Sequence, residues 1–267
     1  MKKIAIIGAG NMGSAVAASL TGVDYEIICT AASQMTLNHV KTSLPDVKTT
    51  LSNKEAVRDA DIVVLAVKPY LADEVCEDIV DDIKDDAVVI SLMAGISTYD
   101  LCKMLHVDAL RIYAGISSNL HIVRAIPNTA IRYGKSVTFI AFADNMPEEV
   151  VEEVVGIFNR SGKSFIVPES KMSACTSLAS CGIAYFLRFI RAAVEGSIEL
   201  GLRADFATEV AALTAEGAAA LLAGGSHPEA EIDKVATPGG LTIRGLNTLE
   251  AHGLSAAVIA ALKASTI

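Results

Sequence analysis

Apolar residues along this chain fall first into short continuous runs and later into longer stretches of helical period, and the change comes near Pro168. Residues 3–7 form the first run and read as a buried strand; residues 11–20 follow as an Ala-rich helix, and residues 26–30 as a second strand. A polar, helix-competent stretch covers residues 34–44. Residues 61–67 and 86–92 are almost uninterrupted apolar strands, separated by a helical stretch over residues 70–83. Strands that are apolar on both faces and alternate with helices predict a parallel sheet with right-handed crossovers. Later strands are expected near residues 121–125, 136–142 and 164–167. Residues 172–200, 205–222 and 255–263 carry helical periodicity with many small residues and no strand pattern. The expected architecture is an α/β domain over residues 1–167 followed by an all-helical domain over residues 168–267.

Composition narrows the partners. The formal charge is −9, which repels phosphate backbones and argues against nucleic acid. An anionic small-molecule ligand therefore has to be held by local groups. Cys29, Cys76, Cys102, Cys175 and Cys181 form no CxxC pair and lie in apolar runs, as buried free thiols of a reducing compartment do. Gly8, Gly10 and Gly13 interrupt the first apolar run too early for a signal peptide, and no uninterrupted apolar stretch approaches the roughly 18 residues of a membrane span. A soluble, cytoplasmic protein without a membrane partner is expected. His39, His106, His121, His227 and His252 are scattered without ligand spacing, so no metal site is expected. The helical part, with about 100 residues and much apolar surface, has too thin a core to stand alone, which predicts packing against a second subunit.

The chemistry begins at Gly8-Ala9-Gly10-Asn11-Met12-Gly13, a full GxGxxG that follows a strand and opens a helix. Here Gly8 allows the tight turn, Gly10 lets a pyrophosphate approach the backbone, and Gly13 permits close helix–strand packing. The phosphates then meet the free N–H groups of the helix N-terminus. This context predicts a Rossmann dinucleotide-binding domain. The end of the second strand, Thr30-Ala-Ala-Ser33-Gln34, has neither the acid that grips a ribose 2′-OH nor an arginine. Without that acid a 2′-phosphate is not repelled, and Ser33 can donate to it, so NADP(H) is preferred and NAD(H) remains possible.

In the second half stands Ala236-Thr-Pro-Gly-Gly-Leu-Thr-Ile-Arg-Gly-Leu-Asn-Thr-Leu-Glu250. Together with the first loop, Leu65-Ala-Val-Lys-Pro69, Asn53-Lys-Glu55, Met93-Ala-Gly95 and Pro127-Asn-Thr129, it resembles the pyrroline-5-carboxylate reductases, essentially along the whole chain and in order. The resemblance implies hydride transfer from NAD(P)H to the C=N carbon of 1-pyrroline-5-carboxylate, giving L-proline, with the helical domains interlocked in a homodimer that can assemble further. It implies that Ala9, Asn11, Met12, Ser33, Asn53, Val67, Lys68, Pro69, Ala94 and Gly95 surround the cofactor. It implies that Thr237, Gly239, Gly240, Leu241 and Thr242 meet the small-molecule substrate, opposite the nicotinamide of the partner subunit, with Thr242 the catalytic donor. The residues offer independent support: a Pro238-Gly239-Gly240 turn before a helix exposes successive N–H groups that can cradle a carboxylate. The plainer reading is a helix cap and an ordinary turn.

The chain departs from that family at Ser180-Cys-Gly-Ile-Ala184, where Gly-Ser-Gly-Pro-Ala is usual, and at Ala130 in place of proline. Residues 111–119 read as an insertion, and Lys234 stands where some members have Asn. A reductase of another cyclic imino acid therefore stands as an alternative. So does a β-hydroxyacid dehydrogenase-like oxidoreductase, whose alcohol chemistry uses a lysine in the first long helix of the second domain; residues 173–189 contain none. Glu169 reads either as a first-turn acid stabilising the helix dipole or as a contact to a substrate amine.

Overall fold

The computed structural model describes residues 1–108, 120–143 and 145–266. The insertion read at residues 111–119 lies outside the described residues.

Eight strands form one sheet: β1 (Lys2–Ile7), β2 (Tyr25–Thr30), β3 (Lys48–Thr50), β4 (Ile62–Leu65), β5 (Ala87–Ser91), β6 (Leu120–Ile126), β7 (Ser136–Phe142) and β8 (Gly162–Ile166). Their order is β3-β2-β1-β4-β5-β6-β7-β8. Alternate residues of each central strand feed opposite faces: Ile4, Ile6, Val64 and Ile90 join one apolar cluster, while Ala5, Ile7, Val63 and Val89 join the other. Burial of both faces is what the continuous apolar runs require. The helices that cover them are α1 (Asn11–Ser19), α2 (Gln34–Ser43), α3 (Asn53–Val57), α4 (Ala72–Ile79), α5 (Thr98–Met104) and α6 (Glu148–Asn159).

The sheet is parallel from β3 to β6, as the sequence predicts. It differs at its far edge, where β7 runs antiparallel to β6 and β8 follows the direction of β7. Only residues 127–135 join β6 to β7, fewer than the dozen or more that a parallel crossover needs. Three short elements, β3, α3 and α5, and the longer α6 were not expected from the pattern. α6 buries Val150, Val154, Ile157 and Phe158 on one stripe.

Strand order reverses at β1, which leads to β2 on one side and is flanked by β4 on the other. In open α/β sheets the crevice outside the carboxyl ends at such a switch point is where ligands bind.

Beyond Ile166 the chain is helical. A 3₁₀ turn (Glu169–Lys171) leads into α7 (Met172–Cys175), a π-helical turn (Thr176–Cys181) and α8 (Gly182–Glu199). The helix expected over residues 172–200 is thus present, with a π-helical turn near its start that ends inside Ser180–Ala184. α9 (Ala204–Leu221), α10 (Pro228–Val235), α11 (Leu241–Ala251) and α12 (Leu254–Ala264) complete the chain. The molecule divides into two compact units, Met1–Ser180 and Cys181–Thr266. In the second, α8 packs on α9 and the Tyr185 hydroxyl donates to the Ala261 carbonyl at 3.4 Å.

The second unit leaves much apolar surface in solvent: Phe186 is 70% exposed, Leu187 59% and Leu213 59%. By length and composition the helical stretch Glu169–Glu199 could cross a membrane, with a mean hydropathy of 1.3 over its most apolar window. Arg188, Arg191, Glu195 and Glu199 in its second half carry charge along it, and Arg191 pairs with Glu195 at 2.7 Å.

Candidate active site

Six loops, those after β1 to β6, gather at the carboxyl edge of the sheet. The first, after β1, turns at Gly8 with φ +97° and enters α1 through Gly10. A Cβ on Gly8 would stand 2.8 Å from Val67 Cγ1, so this loop and the one after β4 touch. A Cβ on Gly13 would stand 2.3 Å from the Gly8 carbonyl oxygen, which makes glycine the condition for α1 to start this close to β1. On Gly10 a Cβ would meet nothing within 4 Å. Two glycines are thus demanded by the protein itself, while the third faces open space.

The N-terminus of α1 has no side-chain cap and no acid in its first turn. The N–H groups of Asn11, Met12 and Gly13 are therefore available to an anion, with the helix dipole behind them. Ser14 donates instead to the Ala9 carbonyl at 3.0 Å. An open cradle and free donors fit a nucleotide diphosphate.

Thr30, at the end of β2 and 1% exposed, holds this loop from the side. Its hydroxyl accepts from Gly8 N–H at 3.3 Å and donates to Asn53 Oδ1 at 2.7 Å, while its carbonyl accepts from Ala9 N–H at 2.6 Å. Asn53, the first residue of α3, passes the chain on from its amide nitrogen to Asp78 at 3.4 Å. The sequence reading named Asn53 but missed Thr30 and Asp78. The signal for Thr30 was a hydroxyl ending an otherwise apolar strand.

Ser33 caps α2, accepting from Thr36 N–H at 3.3 Å. Val67 and Lys68 follow β4, with Lys68 exposed and leading into a short 3₁₀ turn begun by Pro69. Ala94 and Gly95 follow β5, with Gly95 at φ +81°. All the sequence-predicted cofactor residues thus stand on the loops and helix starts that follow β1 to β5 at one edge of the first unit.

After β6, Asn128 is buried; its Oδ1 accepts from Ala130 N–H at 3.1 Å and its amide nitrogen donates to the Ala179 carbonyl at 3.5 Å. That carbonyl lies in the π-helical turn, where the regular helical ladder is broken.

The second group of site residues belongs to the other unit. Gly239 has φ +70° and the Gly240 N–H donates to the Thr237 carbonyl at 3.0 Å, so Thr237–Gly240 is a closed turn. A Cβ on Gly240 would lie 2.5 Å from Thr237 Oγ1. Gly240 leads into α11 with no side-chain cap and no acid in the first turn, and Leu241 and Thr242 are exposed. This is a second bare helix N-terminus, able to hold a small carboxylate. Lys234 pairs with Glu231 at 2.7 Å, and that contact, with the one from Ser226, holds the Glu231 carboxyl below the usual carboxylate range.

Glu169 stands in the first turn of the helical stretch, as one of its two readings has it, and it also binds across to the sheet domain. Its Oε1 accepts from Arg124 Nη1 at 2.8 Å and from Thr98 N–H at 2.7 Å. No thiol is activated here: burial pushes Cys29 up to about 12, and Cys76 and Cys102 up to about 11. Among the described residues no three His, Cys, Asp or Glu side chains converge as metal ligands.

Residues 169–267 match the family model described as pyrroline-5-carboxylate reductase dimerisation, and residues 3–95 match that of the coenzyme F420-dependent NADP oxidoreductases. Pyrroline-5-carboxylate reductase 2 of Dictyostelium discoideum is 36% identical, over 97% of this chain and 89% of its own. Its counterpart 1 in the same organism is also 36% identical over 98% of this chain, which spans 48% of that longer protein. The chain belongs to the pyrroline-5-carboxylate reductase family. Among solved structures, the 1-pyrroline-5-carboxylate reductase of Streptococcus pyogenes superposes with a TM-score of 0.85 at 27% identity, covering 98% of this chain and 96% of that one. The Plasmodium falciparum enzyme with NADP bound gives 0.85 at 25% identity, covering 99% and 95%. Family membership accounts for the exposed apolar helices. The helical half is the part through which these chains associate with copies of themselves.

Proposed function

We propose that this chain reduces 1-pyrroline-5-carboxylate to L-proline, preferring NADPH and accepting NADH. The observation that carries the reading is the pair of bare helix N-termini. One lies behind Gly10 at the switch point of the sheet and the other behind Gly240, in a chain that matches the family from end to end.

In this reading the N–H groups opening α1 hold the diphosphate. Asn53 and Ser33 stand on the adenosine side, and Val67, Lys68, Pro69, Ala94 and Gly95 line the way to the nicotinamide. No acid follows β2 through Gln34 to repel a 2′-phosphate. When bound, the reduced nicotinamide supplies a hydride to the C=N carbon. The Gly240 N–H closes the turn onto Thr237, so the N–H groups of Gly239, Leu241 and Thr242 hold the substrate carboxylate, and the Thr242 hydroxyl donates to that carboxylate or accepts from the iminium N–H. A cyclic imine takes up a proton readily near neutral pH, so the ring enters as an electrophilic iminium and leaves as a secondary amine. The site then needs orientation and one donor more than a strong acid. The substrate cradle meets the nicotinamide of a partner subunit in a homodimer that can assemble further, and the enzyme works in the cytoplasm.

The test follows NADPH absorbance with 1-pyrroline-5-carboxylate beside other cyclic imines, which are included because residues 180–184 and Ala130 depart from the family pattern. Turnover of 1-pyrroline-5-carboxylate is expected. Reduction of only a different imine, or of a keto acid, overturns the assignment.

A further inference from the structure

Among the described residues Arg124 is the only charged side chain that is buried. It interrupts the apolar run of β6 and faces Ser91 of β5 in register. A buried guanidinium is expensive unless paired, and an apolar residue of similar size is often as stable or more so. The pairing is also incomplete, because Arg124 Nε has no partner. Stability alone is therefore a poor reason for a cation here.

What the cation does is hold Glu169. The same Oε1 that takes the Arg124 bond at 2.8 Å takes the Thr98 backbone N–H at 2.7 Å. Thr98 is the first residue of α5, whose start is fixed by a capping box between Ser97 and Asp100. Between Thr98 and the end of β5 lie Ala94 and Gly95, and Met93 N–H donates to the Ser91 hydroxyl at 3.2 Å at the near end. One carboxylate oxygen thus joins a central strand, the loop after β5 and the turn that opens the helical stretch.

We propose that Glu169 is a positioning residue: anchored by Arg124, it holds the Thr98 N–H and so keeps the loop of residues 94–97 in the shape that receives the nicotinamide end of the cofactor. This rests on the cofactor occupying the crevice as proposed above. It predicts a defect confined to that end.

The test measures dissociation constants for NADPH and for adenosine 2′,5′-bisphosphate, which lacks the nicotinamide half, on the full-length protein. Thr98→Pro removes the donor N–H together with the buried hydroxyl, and Thr98→Val, which loses only the hydroxyl, is the control and is expected to bind NADPH as the wild type does. Proline suits the first position of a helix, and Ser97 already has the extended backbone (ψ 164°) that precedes proline comfortably. Thr98→Pro and Glu169→Ala are expected to weaken NADPH about tenfold, roughly 1.4 kcal/mol, with adenosine 2′,5′-bisphosphate unchanged. Glu169→Gln, whose amide oxygen still accepts, is expected to recover most of that loss. Unchanged NADPH affinity in folded Thr98→Pro, or equal weakening of both probes, overturns the proposal. If Glu169→Ala does not fold, Thr98→Pro still decides. Wild-type protein that binds neither probe overturns the cofactor assignment itself, and this inference with it.

Discussion

At the residue scale, the first loop separates two roles that a sequence motif shows as one. Gly13 is required by the protein, since a Cβ there would press on the Gly8 carbonyl at 2.3 Å, whereas Gly10 has no protein neighbour within 4 Å. Gly13→Val is therefore expected to cost about 2–3 kcal/mol and lower Tm by roughly 5 °C or more. Gly10→Val should leave Tm nearly unchanged and weaken NADPH binding at least about tenfold, since the added methyls occupy the diphosphate's approach. Thermal melts and a cofactor titration on the two variants separate these outcomes. At the other helix N-terminus, Thr242→Ala should lower kcat/KM for the imine by roughly tenfold while the fold survives. Unchanged kinetics would reduce Thr242 to an ordinary first-turn residue. The three glycines were legible because backbone geometry leaves a fixed spacing in the sequence. The chain from Gly8 through Thr30 and Asn53 to Asp78 was not, because hydrogen bonds between residues 22 to 25 apart leave no periodic trace.

At the element scale, strands were easier to find than their directions. The runs at β6 and β7 are apolar either way, and an apolar run carries no arrow. The information lay in the connection, where residues 127–135 with a left-handed Gly134 are too few for a crossover. α6 was missed although its stripe of Val150, Val154, Ile157 and Phe158 has helical spacing, and β3 has only three residues. At the opposite edge from the crevice, Asp61 ties elements together. Its carboxylate accepts from Lys84 at 2.5 Å and from Lys3 N–H at 2.9 Å, and those bonds, Lys84 first, hold its pKa below the ordinary value. A depressed pKa stabilises the fold above the unfolded value near about 4, and the contribution is lost as pH falls through the folded one. Asp61→Asn should therefore melt about 3 °C below wild type at pH 7, for a loss of about 1 kcal/mol, and the gap should start to narrow as pH falls below about 4 and close once pH has passed the folded value. A gap that does not narrow as pH falls below about 4 contradicts the assignment.

At the scale of the whole molecule, the second unit cannot hide its own apolar residues. Val194 and Ala207 are buried, but Phe186, Phe189, Phe206 and Leu213 are more than half exposed. Replacing Phe186 and Leu213 together by Asp should shift the protein toward monomer in light scattering. If substrate and cofactor meet across subunits, turnover should fall with it, while NADPH binding to the first unit is retained. An unchanged mass would show that these side chains lie outside the contact. The composition of the helical half already pointed to association, because many small residues and few strands leave too little interior; which faces meet is not written in any one chain. The backward run of the last two strands has its own consequence. β8 pairs Ile166 with Ile140, well down from the edge where β7 begins at Ser136, so the chain leaves the sheet low and climbs again. Met172 packs against Ile126, Phe139 and Ala141 on the way, and the ascent ends where Ala179 meets Asn128. A designer exchanging the helical half for another would have to keep this descending pair of parallel strands and its rising segment. Without them the graft would sprout from the wrong end of the sheet.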